Sequence, residues 1–406
     1  MKNKKTLAVI GGGMSGLVAS YLLSKKYEIS LFEISRELGG ITSDFLIEDE
    51  IYFSGCHQLV ASKWLKQINK KNCLNLEQNK INYGNFTEIE NNMKNFDWDY
   101  ALPSINFKIH INKKKDIKFN NLNDRINFYP KIISRFLKNW LKHQSNLDIK
   151  KLISENSVGL GMSKVALKKN IDQIKNLKQN YKNYDDLYGI KDFINTRSKQ
   201  RCYIPKNGYD FLFKIFKNKL LKKKVKIYNN TPVKPVWEKQ KLYLFSKGQK
   251  LKFDKIMWTG NPVALIKNYG FPKLESTNIK TKIYCGNLSV KISDCFYIQV
   301  FSKKTKITRI YIYKINNITK FTIETFDNEN NEDVIKSTIK ILKKFEFKFK
   351  PVSKIYTKKI KRFFLVSLND DRIISQFLKK TKKTNLLNFD WRTYGREERI
   401  EKIQNF

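Results

Sequence analysis

The stretch KTLAVIGGGMSGLVASYLLSKKYEISLFE, residues 5–33, decides the fold of this chain. Its apolar run at residues 6–10 is typical of a buried strand, and the pattern from Met14 onward predicts a helix. A second strand-like run covers residues 28–32 and ends at Glu33. The basic start superficially resembles a secretory signal, but glycines interrupt the apolar part, which secretory signals do not usually show. The stretch therefore predicts strand, glycine turn, helix and strand.

Three glycines of the turn, Gly11, Gly13 and Gly16, form the pattern G-x-G-x-x-G between the first strand and the helix. Gly11 permits the tight turn, Gly13 lets the backbone approach a pyrophosphate, and Gly16 lets the helix pack on the sheet. The helix N-terminus, at Met14 and Ser15, presents N–H groups and the positive end of the helix dipole to phosphates. The pattern predicts a dinucleotide-binding turn in an α/β fold.

The acidic residue at the end of the second strand narrows the choice of dinucleotide. Glu33 lies 22 positions after Gly11. At about this spacing, an acidic side chain accepts hydrogen bonds from the adenosine ribose. Its negative charge would repel a 2′-phosphate, so the sequence disfavours NADP and leaves FAD or NAD.

Composition limits the class of protein. The chain has 406 residues and a formal net charge of +43, from 80 basic and 37 acidic side chains. Hydrophobic residues make up 41% of the chain, so a sizeable core is expected and a disordered polyelectrolyte is disfavoured. Lysine is spread over the whole length with abundant Asn, Ile, Phe and Tyr, which favours a compositional bias over a specific nucleic-acid partner. Attraction to an anionic membrane surface or substrate stays open.

The cysteines and histidines do not form a pattern typical of disulfide scaffolds or metal sites. Five cysteines are scattered without C-x-x-C spacing, and three histidines supply few further ligands, so we expect no metal. No run of about 18 apolar residues occurs, so a membrane-spanning helix is not expected. We therefore expect a cytoplasmic protein.

The loop after Glu33, ISRELGG at residues 34–40, ends in Gly39 and Gly40. Together with the glycine turn, it resembles the flavin-dependent amine oxidase superfamily, which includes protoporphyrinogen oxidase, phytoene desaturase and UDP-galactopyranose mutase-like proteins. The residues Ile-Thr-Ser that follow look more like the branch linked to cell-surface polysaccharide synthesis. The resemblance implies FAD as the cofactor, with Gly39 and Gly40 closing over its pyrophosphate.

Two further segments carry the resemblance. YFSGCH, residues 52–57, is similar to the superfamily segment that opens the substrate side, which implies a place for His57 beside the flavin. A buried structural histidine is the alternative interpretation. YIPKNG, residues 203–208, precedes a helix and resembles the return to the dinucleotide domain. It makes Tyr203 and Lys206 candidates for the cavity wall.

The resemblance assigns four more positions. Val233 is expected to meet the adenine through its backbone, and Gly395 is what remains of a glycine-rich C-terminal turn. Arg309, a further candidate for the cavity, and Glu324 lie on predicted strands where relatives of the polysaccharide branch also carry Arg and Glu. Solvent-facing or paired structural charges are the alternative interpretation of both.

The resemblance implies a Rossmann-like FAD/NAD(P)-binding domain that is interrupted by a mixed α+β substrate domain. The first is predicted to comprise residues 1–85, 199–277 and 380–406. The second is predicted to comprise residues 86–198 and 278–379. Amphipathic patterns predict helices over the substrate cavity, at residues 126–141 and 163–177.

Three functions are compatible with the sequence. The first is an FAD-dependent oxidoreductase of amine-oxidase type, in which a hydride passes from an unidentified small organic substrate to the flavin. The second is a nucleotide-sugar mutase-like flavoenzyme, which needs arginines that clamp a diphosphate. The candidate clamp residues are Arg201, Arg309 and Arg362. The third is a non-catalytic partner protein with the same fold. The catalytic residues and the oligomeric state do not follow from the sequence.

Overall fold

A computed structural model gives the architecture of the chain. It describes residues 4–60, 62–70, 73–79, 81–88, 93–95, 118–145, 147–162, 180, 202–275, 277–326, 330–387, 391–392, 399–400, 402–403 and 406. The helices are α1 (Met14–Leu23), α2 (Lys63–Ile68), α3 (Leu122–Asn127), α4 (Lys131–Ser145), α5 (Asn156–Gly159), α6 (Gly208–Lys222), α7 (Val263–Asn268), α8 (Asn331–Lys343) and α9 (Leu368–Thr381). The strands are β1 (Lys5–Ile10), β2 (Tyr27–Phe32), β3 (Phe45–Ile47), β4 (Glu50–Tyr52), β5 (Leu59–Val60), β6 (Leu76–Asn79), β7 (Ile81–Thr87), β8 (Met93–Asn95), β9 (Cys202–Pro205), β10 (Lys226–Tyr228), β11 (Lys234–Glu238), β12 (Lys241–Ser246), β13 (Gln249–Leu251), β14 (Lys255–Trp258), β15 (Thr277–Asn287), β16 (Cys295–Phe301), β17 (Ile307–Ile315), β18 (Ile318–Phe326), β19 (Tyr356–Leu365) and β20 (Leu386–Leu387).

Five strands form a parallel sheet in the order β10-β2-β1-β14-β20. The last four residues of β1 and of β2 are buried, as expected for parallel strands that are covered on both faces. Residues of α1 and α6 belong to the same hydrophobic core as these strands. The predicted α/β fold class with a Rossmann-like sheet is confirmed.

The order of strands in the parallel sheet reverses beside β1. β2 and β10 lie on one side of β1, and β14 and β20 lie on the other. The carboxyl ends of β1 and β14 therefore meet at a topological switch point, where open α/β sheets bind their ligands. The glycine turn that follows Ile10 lies at this point.

Seven strands form a second, mixed sheet in the order β19-β15-β18-β17-β16-β7-β8. All neighbouring pairs are antiparallel except β16 and β7, which are parallel. α8 packs on one face of this sheet through Val334, Ile341 and Leu342. α4 packs on the other face, where Trp140 meets Phe301 edge to face at 5.0 Å. Three smaller sheets, β3-β4, β5-β9-β6 and β11-β12-β13, complete the fold.

The predicted helix at residues 126–141 is two helices in the structure. α3 ends at Asn127, and α4 begins at Lys131, directly after Pro130. Proline lacks an amide hydrogen and disfavours helical backbone in the residue before it, which explains the break. The predicted helix at residues 163–177 lies outside the described residues.

The two large sheets use different parts of the chain. Strands of the parallel sheet come from residues 5–32, 226–258 and 386–387, and those of the mixed sheet come from residues 81–95 and 277–365. β7 continues across the predicted boundary at residue 85, and the division into domains stays a prediction. Within the described ranges, no helix combines the length and the apolar character that crossing a membrane requires.

Candidate functional site

The glycine turn after β1 needs glycine at two positions for steric reasons. Gly11 has a φ of 104°, in the left-handed region, and its N–H donates to the Phe32 carbonyl at 2.9 Å. A Cβ on Gly16 would lie 1.8 Å from the Gly11 carbonyl oxygen, closer than any real contact. Both features hold α1 tightly against the end of β1.

By contrast, the space beside Gly13 is open. A Cβ on Gly13 would meet only the Gly39 carbonyl oxygen, at 3.9 Å. Gly40, with a φ of 61°, lies across from it, because a Cβ on Gly40 would be 3.4 Å from Gly13 Cα. α1 starts here with no side-chain cap and no acidic residue in its first turn. The uncapped helix start between two glycine backbones, beside Met14 and Ser15, fits a pyrophosphate.

Glu33 is buried beside the same turn, with 6% of its surface exposed. Its Oε2 accepts the Gly12 N–H at 2.5 Å, and its Oε1 accepts the Ser35 N–H at 2.8 Å. A carboxylate has about four acceptor positions, so it retains capacity for the hydroxyls of a ribose. The side chain fits the ribose-binding role that the sequence assigns to it, and that role stays a prediction.

The segment that contains Val233 runs beside the end of β2. The Thr231 N–H donates to the Glu33 carbonyl at 2.8 Å, and Asn229 Nδ2 donates to the Arg36 carbonyl at 2.8 Å. Val233 is half-buried and packs against the main core. Its position two residues beyond Thr231 brings it near the end of β2, as the predicted adenine contact would require.

Gly39 joins the loop after β2 to the glycine turn and to α6. Its N–H donates to the Gly12 carbonyl at 2.9 Å, and its φ is 126°. A Cβ on Gly39 would lie 2.4 Å from the Phe213 ring of α6. Gly395, the C-terminal glycine, lies outside the described residues. Nearby, Trp391 Nε1 donates to the Trp258 carbonyl at 3.0 Å, which anchors the C-terminal segment to the end of β14.

The structure places three of the predicted cavity residues in different environments. His57 is buried, and its ring meets the Tyr209 ring edge to face at 6.1 Å. Tyr203 is half-buried on β9, opposite Leu59 of β5. Lys206 is exposed in the turn before α6, and its place in a cavity wall stays a prediction.

Arg309, the fourth candidate, belongs to a row of polar side chains that crosses the mixed sheet. Asn85 of β7 pairs with Gln299 of β16, Gln299 pairs with Arg309 of β17, and Arg309 pairs with Glu324 of β18. Directly paired residues point to the same face of a sheet, so the four form one stripe, here called the polar row. The sequence singled out Arg309 and Glu324 but missed Asn85 and Gln299, whose only signal is a polar residue within an apolar strand.

The charges of the polar row are buried and paired. Arg309 Nη1 lies 3.4 Å from Glu324 Oε2, with 13% of the arginine side chain and none of the glutamate side chain exposed. Arg309 Nη2 also donates to the Gly159 carbonyl at 3.0 Å. Burial disfavours the charged guanidinium, but Tyr297 and Glu324 outweigh this effect and raise the pKa of Arg309. The pairing of Arg309 with Glu324 is observed, and the place of Arg309 in a substrate cavity stays a prediction.

The segment with His57 is docked on this sheet beside the polar row. The Cys56 N–H donates to Glu324 Oε1 at 2.7 Å, and the Phe53 N–H donates to the Tyr313 hydroxyl at 2.9 Å. The Phe53 ring stacks on the Tyr313 ring at 4.2 Å, and Tyr311 stacks on Tyr313 at 5.0 Å. These contacts bring residues 53–56, which follow the Gly39–Gly40 loop in the chain, to the sheet face that carries the polar row.

Sequence reasoning also missed a pair of aspartates, Asp44 after the Gly39–Gly40 loop and Asp210 at the start of α6. The Asp44 N–H donates to Asp210 Oδ1 at 3.1 Å, and the Asp210 N–H donates to Asp44 Oδ2 at 3.0 Å. Burial raises the pKa of Asp44 to about 8, and the neighbouring charge of Asp210 adds to the effect. The pair fastens the loop after Gly40 to the start of α6.

Comparison with known proteins identifies one matching family model and several solved structures with a similar fold. A model described as an NAD(P)-binding Rossmann-like domain matches residues 9–75. Reduced UDP-galactopyranose mutase aligns with 99% of this chain and 94% of its own, with a TM-score of 0.71 at 11% identity. Cyclohexylamine oxidase from Brevibacterium oxydans aligns with 99% of this chain and 97% of its own, with a TM-score of 0.61 at 11% identity. The chain shares the fold of UDP-galactopyranose mutase and cyclohexylamine oxidase.

The amine oxidase fold extends over nearly the whole chain. A putrescine oxidase variant with redesigned cofactor binding aligns with 99% of this chain and 97% of its own, with a TM-score of 0.56 at 12% identity. No curated protein sequence matches the chain. The resemblance that the glycine motifs indicated is therefore confirmed at the level of the fold.

Proposed function

We propose that this protein binds FAD and is an oxidoreductase that takes a hydride from a small organic substrate. The observation that carries the proposal is the uncapped start of α1 beside the open backbone of Gly13 and Gly40, with the buried Glu33 carboxylate next to it. The residues that would hold the cofactor are Gly11, Gly13, Met14, Ser15, Gly16, Glu33, Gly39, Gly40, Val233 and Gly395. FAD supplies the hydride-accepting chemistry when it is bound.

The protein's own residues would orient the substrate and exclude water. The stacked rings of Phe53, Tyr311 and Tyr313 are buried. They form an apolar surface that excludes water on the sheet face beside the Gly39–Gly40 loop. His57 is buried next to Cys56, whose N–H is held by Glu324. A water-excluding wall of this kind strengthens the electrostatic interactions that position a substrate.

A nucleotide-sugar mutase is the second candidate, because UDP-galactopyranose mutase aligns with a TM-score of 0.71. Its chemistry would need arginines that are available to a diphosphate. Arg309 instead forms a pair with the buried Glu324 and donates to Gly159. Arg201 and the side chain of Arg362 lie outside what the structure describes. The pairing of Arg309 favours the oxidoreductase.

The visible absorption spectrum of the purified protein tests the proposal. After incubation with FAD and removal of free cofactor, we expect the two visible absorption bands of bound flavin in a one-to-one complex. A colourless protein would refute it and favour the non-catalytic partner. The FAD-loaded, dithionite-reduced protein should leave UDP-galactopyranose unchanged on chromatography, whereas its isomerisation would establish the mutase instead.

A further inference from the structure

The polar row contains a buried donor that has no acceptor among the residues that the structure describes. Asn85 has 3% of its surface exposed, and its Oδ1 accepts a hydrogen bond from the Thr87 hydroxyl. Its Nδ2 has no hydrogen-bond partner among the described residues. Gln299 beside it is satisfied, since its Nε2 donates to the Thr308 carbonyl at 3.0 Å. A buried amide nitrogen without an acceptor is costly, so its retention needs an explanation.

A second unpaired polar atom lies in the segment that covers the row. Gly159 of this segment accepts from Arg309, and a Cβ on Gly161 would lie 3.0 Å from Gln299 Oε1. Ser157 of the same segment has 2% of its surface exposed, and its hydroxyl has no partner in the described part of the chain. The row and its cover therefore both carry hydrogen-bonding capacity that the described residues leave unfilled.

One end of the polar row adjoins the candidate cofactor site. Glu324 accepts from Cys56, and Ser54 Oγ donates to the carbonyl of Ile41, the residue after Gly40. Asn85 lies three strands further along the sheet, about 14 Å away at about 4.8 Å per strand. A small molecule with its reacting carbon near the flavin would reach along this row.

We propose that the polar row binds the oxygen-bearing part of the substrate, and that the Asn85 amide donates to an oxygen acceptor such as a hydroxyl or carboxylate. This inference rests on the proposed oxidoreductase function. A hydrocarbon substrate would leave the Asn85 nitrogen and the Ser157 hydroxyl unsatisfied, at a cost that an oxygen-bearing ligand removes. The substrate class is therefore polar.

Thermal melting of the protein without cofactor tests the role of Asn85. The double variant Asn85→Val/Thr87→Val removes the Asn85 amide together with the Thr87 hydroxyl that donates to it. The melting temperature of this variant should equal or exceed that of the wild type. The matched control Gln299→Met removes a satisfied amide of the same row and should melt lower by about 2 °C or more. A double variant that melts as far below wild type as the control would show that the fold needs Asn85, and would overturn the proposal.

A partition experiment tests the substrate class. A metabolite extract of the source cells is split into aqueous and chloroform fractions, and each is added anaerobically to the FAD-loaded protein. We expect the aqueous fraction alone to bleach the flavin, at least about tenfold more slowly in Asn85→Val/Thr87→Val. Bleaching by the chloroform fraction alone, or an unchanged rate in the variant, would overturn the inference. Failure of FAD to bind would refute the proposed function instead, while the melting comparison would still decide the role of Asn85.

Discussion

The Gly12 backbone amide donates to Glu33 Oε2 across 2.5 Å, and this bond joins the glycine turn after β1 to the end of β2. The other carboxylate oxygen of Glu33 accepts the Ser35 N–H at 2.8 Å. One buried side chain thus fixes two backbone segments of the candidate cofactor site, so it organises the site even before a cofactor is bound.

Glu33→Ala should reduce both stability and cofactor binding. It leaves two backbone donors without an acceptor, which we expect to lower the free energy of unfolding by about 1–3 kcal/mol. FAD affinity should fall at least about tenfold, because the ribose loses its acceptor. Urea unfolding and FAD titration measure the two effects. Glu33→Gln keeps one oxygen acceptor, so its stability and its FAD affinity should lie between those of the wild type and of Glu33→Ala. Equal FAD affinities in all three proteins would contradict the ribose-binding role.

The glycines at positions 13 and 16 should respond differently to alanine. Gly16→Ala places a methyl group 1.8 Å from the Gly11 oxygen and should destabilise the protein by at least about 2 kcal/mol. Gly13→Ala meets only one atom, at 3.9 Å, and should leave the stability of the cofactor-free protein unchanged. It should nevertheless weaken FAD binding at least about tenfold, because the methyl group occupies the pyrophosphate space. Wild-type affinity in Gly13→Ala would place the cofactor elsewhere.

The pair of Arg309 and Glu324 should show strong coupling. Glu324→Gln leaves a buried guanidinium without a counterion and should destabilise the protein by about 3–5 kcal/mol. Arg309→Met combined with Glu324→Leu removes both charges and should cost less than Glu324→Gln alone. Urea unfolding of Arg309→Met, of Glu324→Leu and of the double variant forms the cycle. A double variant whose loss equals the sum of the single losses would mean that the two charges do not interact.

Asp44 should make the protein less stable as pH rises. Its pKa is about 8 in the folded chain against 3.8 for an ordinary Asp, so protonation favours the folded state. The stabilisation by the protonated carboxyl is complete below pH 3.8 and is lost as pH rises to about 8. The free energy of unfolding of Asp44→Asn should therefore match that of the wild type near the lower end of this pH range. At the upper end it should exceed the wild-type value by about 1–3 kcal/mol.

A residue with the opposite shift provides the control for Asp44. The Thr6 amide lowers the pKa of Asp254, which is exposed at the start of β14. Asp254→Asn should lose stability relative to wild type as pH rises through the acidic range, the reverse of Asp44→Asn. Urea unfolding at several pH values measures how the stability difference between each variant and the wild type changes with pH. If this difference changed in the same direction in both variants, burial of Asp44 would not be the cause of its pH dependence.

Several elements could be predicted because their signals are local. The turn at residues 11–16 needs glycines at fixed spacing, and the apolar runs around it indicate strand, helix and strand, so sequence reasoning found β1, α1 and β2. β19 at Tyr356–Leu365 was missed, because two adjacent pairs of basic residues interrupt any apolar alternation in this edge strand. The motif that contains Lys206 could be located from the sequence, whereas the exposure of this residue became known only from the structure.

By itself, the sequence determined the dinucleotide fold, the position of the glycine turn and the acidic residue that accompanies it. The spacing of the turn follows from local sterics, since a Cβ on Gly16 would clash with the Gly11 carbonyl oxygen of the same turn. Only the tertiary structure decided that Asn85, Gln299, Arg309 and Glu324 form one buried row. The row depends on the register between strands that are distant in the chain, and register is set by the packing of whole sheets rather than by any local pattern.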